Sequence, residues 1–266
     1  MGRDTPVLTS YSAFAAYYDA MMHDVDYDRW ARRLDALIRP AAGSMPLSAA
    51  DCACGTGALT VRLARMGYQM TGIDLSEDML RVAQEKSIRL GLRIPYVCMD
   101  MRRLKLHRPV DAISCACDGV NYLTSRTALC AFFRAAHAAL KSGGVLIFDV
   151  STRFKLSEVL GGNCFGEDLP DCTYLWRNAY DPAQKLLEMR LHVFVPEPDG
   201  RYRRFDEVHI QRAHSDAELR SALSECGFAV LDAFDGLTDQ PLTERTERAL
   251  YVCRRLEKES EALPAD

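Results

Sequence analysis

Apolar residues recur along this chain with two periods, and the points where one gives way to the other mark out its elements. Trp30, Leu34, Leu37 and Ile38 fall at helical spacing, so YSAFAAYYDAMMHDVDYDRWARRLDALIRP predicts two helices split near His23 to Tyr27, the second ended by Pro40. A short run of small and apolar residues at 48–52 predicts a buried strand that breaks at Gly55 and Gly57 before a helix over 58–66. The alternation continues with a strand at 68–74 and a helix at 76–90, where Ser76 suits the N-cap, Glu77 and Asp78 the first turn, and Gly91 the stop. Strands at 94–99 and 110–117 follow. A helix at 125–140 then leads through a turn at 141–144 into the strongly apolar strand 145–150. Five strands alternating with helices predict a right-handed, doubly wound parallel sheet.

Beyond Val150 the period shortens to two. Segments 172–180, 186–195 and 201–211 read as strands of an antiparallel meander, with Pro182 marking one break and Pro198-Asp199-Gly200 the next turn. A helix at 215–226, closed by Gly227, and strands at 228–234 and 249–255 return the chain to the main sheet. The expected fold is therefore α/β, a mostly parallel seven-stranded Rossmann-like sheet with a small antiparallel β insertion. The expected division is a helical cover at 1–47, a core at 48–151 and 213–256, the insertion at 152–212, which would serve substrate, lid or oligomer contacts, and a charged, frayed tail at 257–266.

Composition changes this picture little. The 266 residues fit one large domain or a domain plus an insertion, and 48% hydrophobic content is ample for a core. A net charge of -4 argues against a broad nucleic-acid or acidic-membrane surface. No run of 18 apolar residues and no signal or myristoylation pattern occurs, so the expectation is a soluble, cytoplasmic protein. Ten cysteines form no C-x-x-C pair, and those in or beside predicted strands read as buried free thiols of a reducing compartment, with no metal site.

The chemistry concentrates at SAADCACGTG, residues 48–57. Asp51 would sit near the carboxyl end of a strand, with Gly55 and Gly57 letting the backbone turn and a ligand approach. A dinucleotide site wants a third glycine, and the run here is Gly55, Thr56, Gly57, Ala58, Leu59, Thr60. Asp51 would also repel a phosphate while attracting an ammonium and a sulfonium, the charges of S-adenosylmethionine (SAM). A second acid, Asp74, ends the next apolar run, where carboxylates commonly take ribose hydroxyls.

DCACGTG at 51–57, GIDLSEDML at 72–80, CMDM at 98–101, CDGVNYL at 117–123 and LKSGGVLIFDV at 140–150, together with YYDAMMHDVDYDRW, resemble the class I SAM-dependent methyltransferases. The match covers roughly the first 150 residues in family order. It extends less specifically to about residue 255 in a bacterial subgroup, related to small-molecule N- and O-methyltransferases, that carries a β-rich insertion after the fifth strand. One departure is Ala53, where the family more often has glycine, a change that reads as mild. The resemblance implies that Asp51 and the backbone at Ala53 and Gly55 hold the methionine end of SAM, that Asp74 takes the ribose hydroxyls, and that Leu75 and Met79 pack nearby. It further implies that Asp100 binds the adenine amino group with Met101 against the ring, that Cys117 and Asp118 lie beside the methyl group, and that Tyr18 closes over the cofactor. On the residues alone, Asp74 could equally cap the following turn, and Met79 and Met101 could be core. The dense aromatics Tyr11, Phe14, Tyr17, Tyr18 and Tyr27 could be helix-covering contacts or part of a lid.

The expected reaction is in-line methyl transfer to N or O of a small-molecule acceptor, leaving S-adenosylhomocysteine (SAH). Alignment of the reactants supplies on the order of 7 kcal/mol or more of barrier lowering in well-oriented cases. Candidates for acceptor contact are Asp118, Asn121 and Tyr122, then Arg153, and on the insertion His209 and Arg212; Asp118, Tyr122 and His209 are also the catalytic candidates. Alternation puts Glu207, His209 and Gln211 on one strand face and Val208, Ile210 and Arg212 on the other, and a solvated or structurally bonded His209 is the plainer alternative. No NPPY or Pro-Cys sequence occurs, which disfavours the nucleic-acid amino- and cytosine-C5-methylating classes. A homodimer is open. The rival readings are an NAD(P)-dependent oxidoreductase and a non-catalytic SAM-binding protein.

Overall fold

Two helices, the short α1 (Ala15–Met21) and the longer α2 (Tyr27–Ala42), precede the first strand in the computed structural model, which describes residues 14–42, 45 and 47–257. Helix α2 buries Trp30, Ala31, Leu34 and Ile38 along one stripe, while Leu37 is only partly buried. Pro40 does not end it: the proline lies in the last turn, where its missing N–H forfeits one hydrogen bond, and the helix runs two residues further.

Strands β1 (Ser48–Cys52), β2 (Gln69–Asp74), β3 (Tyr96–Cys98), β4 (Val110–Cys115) and β5 (Leu140–Ser151) are connected in part by helices α3 (Ala58–Arg65), α4 (Glu77–Arg89) and α5 (Arg126–Ala139). Ser76 caps α4 by accepting the Met79 N–H, and Ser125 caps α5 in the same way from Ala128. Pro95, which has no N–H to give a ladder, precedes the shortened β3, and left-handed backbone at Cys117 and Asp118 turns the chain soon after β4. The expected turn at 141–144 falls inside β5 as an excursion. The pairing Val110↔Leu140 is followed by Ala112↔Val145, so four residues loop out between them.

A second sheet follows: β6 (Cys164–Asp168), β7 (Thr173–Asp181), β8 (Leu186–Pro196) and β9 (Tyr202–Arg212), all antiparallel in the order β6-β7-β8-β9. β6 was not among the expected strands, since CFGED shows neither alternation nor a β-branched residue. The chain reaches it through a π-helical turn at Lys155–Val159. Helix α6 (Asp216–Glu225), closed at its start by a Ser215–Glu218 capping box, and strands β10 (Phe228–Asp235) and β11 (Arg248–Arg255) complete the main sheet.

The main sheet has the order β10-β11-β5-β4-β1-β2-β3, with β11 antiparallel to both its neighbours. One face packs on α5 and α6 through Phe132, Phe133, Phe148 and Leu219, with Phe148 stacked on Tyr251 at 5.1 Å. The other face packs on α2 and α3 through Trp30, Leu34, Ile38 and Leu63. The sheet reverses direction of growth between β1 and β4, so the crevice at their carboxyl ends is where a doubly wound sheet takes its ligand. Among the described residues no helix is long and apolar enough to cross a membrane, and all ten cysteines are free. Cys98 departs from the buried-thiol expectation: as the last residue of β3 it is exposed.

Candidate active site

At that crevice lies a cavity of about 1520 Å³, bounded by the glycine loop, α1, the ends of β2 and β4, and the second sheet. Small-ligand pockets typically span roughly 300–1,000 Å³, so there is room for two reactants side by side. The loop is built of left-handed backbone at Ala53, Gly55 and Gly57, with φ of 54, 53 and 71°. A Cβ on Gly57 would come 2.7 Å from the Tyr96 hydroxyl, whereas one on Gly55 would meet only a Tyr18 ring carbon at 3.9 Å. The loop is thus packed tightly behind and left open in front.

Ala53 is a less mild departure than it reads in sequence. It occupies the left-handed region that glycine enters freely, and its methyl group would lie 2.9 Å from any Cβ placed on Gly119. Ala53 and the Cys115 sulfur, also 2.9 Å away, together leave no room for a side chain at position 119.

Two carboxylates line the same end of the cavity. Asp51 is 2% exposed and accepts hydrogen bonds from Thr60 Oγ1 at 2.6 Å and Ser114 Oγ at 2.8 Å. Burial nevertheless pushes its pKa up to about 6. Asp74 accepts the Gly55 N–H at 2.8 Å and the Ser76 N–H at 2.9 Å, and burial raises its pKa also. It therefore does cap the following turn, and it fixes the loop at the same time. No lysine or arginine contributes to either shift. Asp100 differs: Arg102 grips it with two nitrogens at 2.5–3.0 Å and holds its pKa below the ordinary carboxylate range.

Helix α1 roofs this end. Phe14 is buried and meets Tyr18 edge to face at 5.4 Å, Tyr17 lies against Phe205 at 6.4 Å, and Tyr27 lines the cavity; Tyr11 falls outside the described residues. The helix is fastened from its exposed side. Asp19 accepts from Thr56 Oγ1 at 2.5 Å and pairs with Lys86 Nζ at 2.7 Å, so roof, glycine loop and α4 are tied at one point. Met79 is 1% exposed, packed among Phe14, Leu191 and Val193, yet still lines the cavity with Met101, while Leu75 is 70% exposed at its edge.

The opposite end is assembled from distant segments. Asp118, with φ of 57°, accepts from Gln211 Nε2 at 2.6 Å and from Arg248 Nη2 at 3.0 Å, and the other arm of Arg248 pairs with buried Asp149. The Tyr122 hydroxyl lies 3.4 Å from His209 Nδ1. His209 is 7% exposed, which overturns a solvated histidine, and burial pushes its pKa down to about 4. The strand faces follow the expected alternation but with inverted polarity: Glu207, His209 and Gln211 are buried, and Val208 and Ile210 are about half exposed at 45% and 44%.

Three expected acceptor contacts lie elsewhere. Asn121 is fully buried and spends its amide on Ser151 and Arg212, donating to both carbonyls at 2.9 Å and accepting the Ser151 N–H at 2.9 Å. It ties the turn at Gly119–Tyr122 to β5 and β9 and does not line the cavity. Arg153 is exposed outside it, and Arg212 turns to Glu218 at 3.1 Å. Lys155, two residues past Arg153, does line the cavity.

A methyltransferase-domain family matches residues 49–144. A protein of Geobacillus sp. (strain WCH70), described provisionally as a methyltransferase, is 31% identical over 246 residues, spanning 92% of this chain and 100% of its own. One from Bacillus subtilis (strain 168), described in the same way, is 33% identical over 248 residues, or 92% and 97% of the two chains. The crystal structure of an S-adenosylmethionine-dependent methyltransferase from Clostridium acetobutylicum ATCC 824 superposes with a TM-score of 0.82 at 32% identity, covering 93% of this chain and 99% of that one. The chain belongs to the class I SAM-dependent methyltransferases.

SAM is the methyltransferase's cofactor, and the donor end of the cavity suits it on physical grounds. Two carboxylates, Asp51 buried and Asp74 partly so, with raised pKa values and no protein cation to balance them favour a ligand that brings positive charge. The open face of Gly55 leaves its backbone accessible, and each carboxylate oxygen of Asp74 keeps a lone pair beyond its backbone bond. A nicotinamide dinucleotide would set its pyrophosphate against those charges, and family membership disposes of the oxidoreductase rival. In the methyltransferase, Gln211, Arg248 and Lys155 are among the cavity residues that the sequence does not single out. The strand alternation already grouped Gln211 with His209; nothing local in the sequence points from Arg248 to Asp118.

Proposed function

We propose that the methyltransferase alkylates a nitrogen or oxygen of a small molecule held between the glycine loop and the second sheet. The observation that carries this reading is that one continuous, roofed cavity runs from the uncompensated acids Asp51 and Asp74 to the polar wall of Asp118, Tyr122, His209 and Gln211.

When bound, SAM supplies an electrophilic methyl carbon and departs as SAH. Asp51, with the backbone of Ala53 and Gly55, would hold its methionine end, and Asp74 its ribose. Leu75, Met79, Asp100 and Met101 would frame the adenine, with Arg102 sharing Asp100. Cys117 and Asp118 would border the reacting carbon, and Tyr18 would exclude water from above. Asp118 is fixed from two sides and so acts as an orienting group. His209 stays neutral at physiological pH, able to accept a hydrogen bond or a proton but weakly basic, which suits an acceptor that arrives with a free lone pair.

The test is transfer of a deuterated methyl group from labelled SAM into parallel small-molecule, RNA and protein fractions, followed by mass spectrometry. Label in the small-molecule fraction is the expected result. Label confined to polymer would overturn the acceptor class, and tight SAH binding with no transfer to any fraction would favour a non-catalytic SAM-binding role.

A further inference from the structure

Two cations line the acceptor end of the cavity, and they differ in what neutralises them. Arg248 gives one arm to Asp118 and the other to Asp149. Lys155 has no carboxylate oxygen within 4.0 Å among the described residues, although it is only partly exposed. Its position is fixed by the main chain. The Lys155 N–H donates to Thr152 Oγ1 at 3.3 Å, and its carbonyl accepts the Leu160 N–H at 2.9 Å, the wide i→i+5 bond of the π-helical turn. Leu156, the next residue, is fully buried and anchors the turn beneath the second sheet.

Burial and the neighbouring Arg248 both pull the Lys155 ammonium below its ordinary pKa, and Asp118, Glu247 and Asp149 offset this only in part. A lysine in this setting gains from an incoming anion. The apolar surfaces of Leu160, Trp176, Met189 and Leu191 line the same cavity and suit an apolar body.

We propose that Lys155 is an anion subsite of the acceptor pocket, so that the acceptor bears a carboxylate or phosphate on an apolar body. This rests on the methyltransferase reading and narrows its substrate class. The anion is held at Lys155, and the nucleophilic atom of the same molecule is left to face Asp118 and the Tyr122–His209 pair.

The experiment titrates the SAH-loaded full-length protein with benzoate, phenyl phosphate and benzyl alcohol, following each by ligand-observed NMR. At least one anion should bind about tenfold tighter than the alcohol, the factor that a single partly desolvated ion pair of about 1.4 kcal/mol supplies. The tighter of the two anions tells carboxylate from phosphate. Lys155→Met should erase the preference and Lys155→Arg should keep it, with SAH affinity unchanged in both. Equal binding of alcohol and anions, no binding of any probe, or a preference that survives in Lys155→Met overturns the subsite. Should Lys155→Met fail to fold, Lys155→Gln takes its place with the same two outcomes. Failure of the wild-type protein to bind SAH would instead strike the methyltransferase reading itself, so the two outcomes are separable.

Discussion

On the donor side of the cavity the principal groups lie close along the chain: Asp51, Ala53 and Gly55 within five residues, and Asp74 bonded to Gly55 from 19 positions away. On the acceptor side Asp118 is held by Gln211 from 93 positions away and by Arg248 from 130, and Tyr122 meets His209 across 87. The charge differs as well. The donor acids Asp51 and Asp74 have no protein cation beside them, whereas Asp118 and Asp149 share Arg248. One end is poised to receive a cation; at the other, two carboxylates share one arginine, with Lys155 close by but bonded to neither. A site made by backbone conformation has to be written contiguously, while a site made by side chains can be collected from anywhere the fold brings together.

That contrast can be broken most directly at Asp51. Asp51→Asn should weaken SAM binding by about 100-fold by calorimetry, the loss of roughly 2–3 kcal/mol expected when a charged partner is removed from a dry site. The same variant should melt no lower than wild type, because the buried charge it removes is itself unfavourable. If affinity is retained, the electrostatic account of the donor end is wrong.

Next in size is the response to pH. Asp51 is raised to about 6 in the free protein, and a bound cation favours its ionised form, so affinity for SAM is full above pH 6 and is lost as pH falls through that value. Calorimetry at pH 7.5 and pH 5 should differ by about tenfold, and Asp51→Asn should reduce that difference. His209, neutral down to about pH 4, should contribute nothing across this window.

At the acceptor end, Gln211→Leu should leave SAH affinity within about twofold while lowering stability by about 1.5–3 kcal/mol in denaturant titration, since it strips a hydrogen bond from the Asp118 carboxylate. A large loss of SAH binding would mean that the two ends are coupled more tightly than their separate bonding implies. The smallest effect belongs to Ala53→Gly. Relief of left-handed backbone and the added freedom of glycine in the unfolded chain nearly cancel, so stability should move by no more than about 1 kcal/mol in the same titration.

The legibility of the sequence divides along the same line. The strand and helix succession from Ser48 to Leu140 was readable because each element carries its own periodicity and caps, as at Ser76 and Ser125. What was misread depends on surroundings. Pro40 was read as a stop when its place in the last turn made it tolerable, and β6 exists because β7 offers it a ladder and not because CFGED prefers extension. Arg153 is the cation the sequence offers after the fifth strand, yet Lys155, which opens the π-helical turn, is the one that lines the cavity. Asn121 has the right chemistry for an acceptor contact, and the fold spends it on three backbone groups.

The main sheet and the four strands β6–β9 form two separate hydrogen-bonded ladders, with no strand belonging to both. The wall that carries His209 and Gln211 can consequently be rewritten, residue by residue or as a block grafted from a relative, without cutting one rung of the main sheet that carries Asp51 and Asp74. On the proposed reading, exchange of acceptor preference would be a matter of refitting one partition, with Asp118 and the Asn121 clamp as the joints any new partition must match.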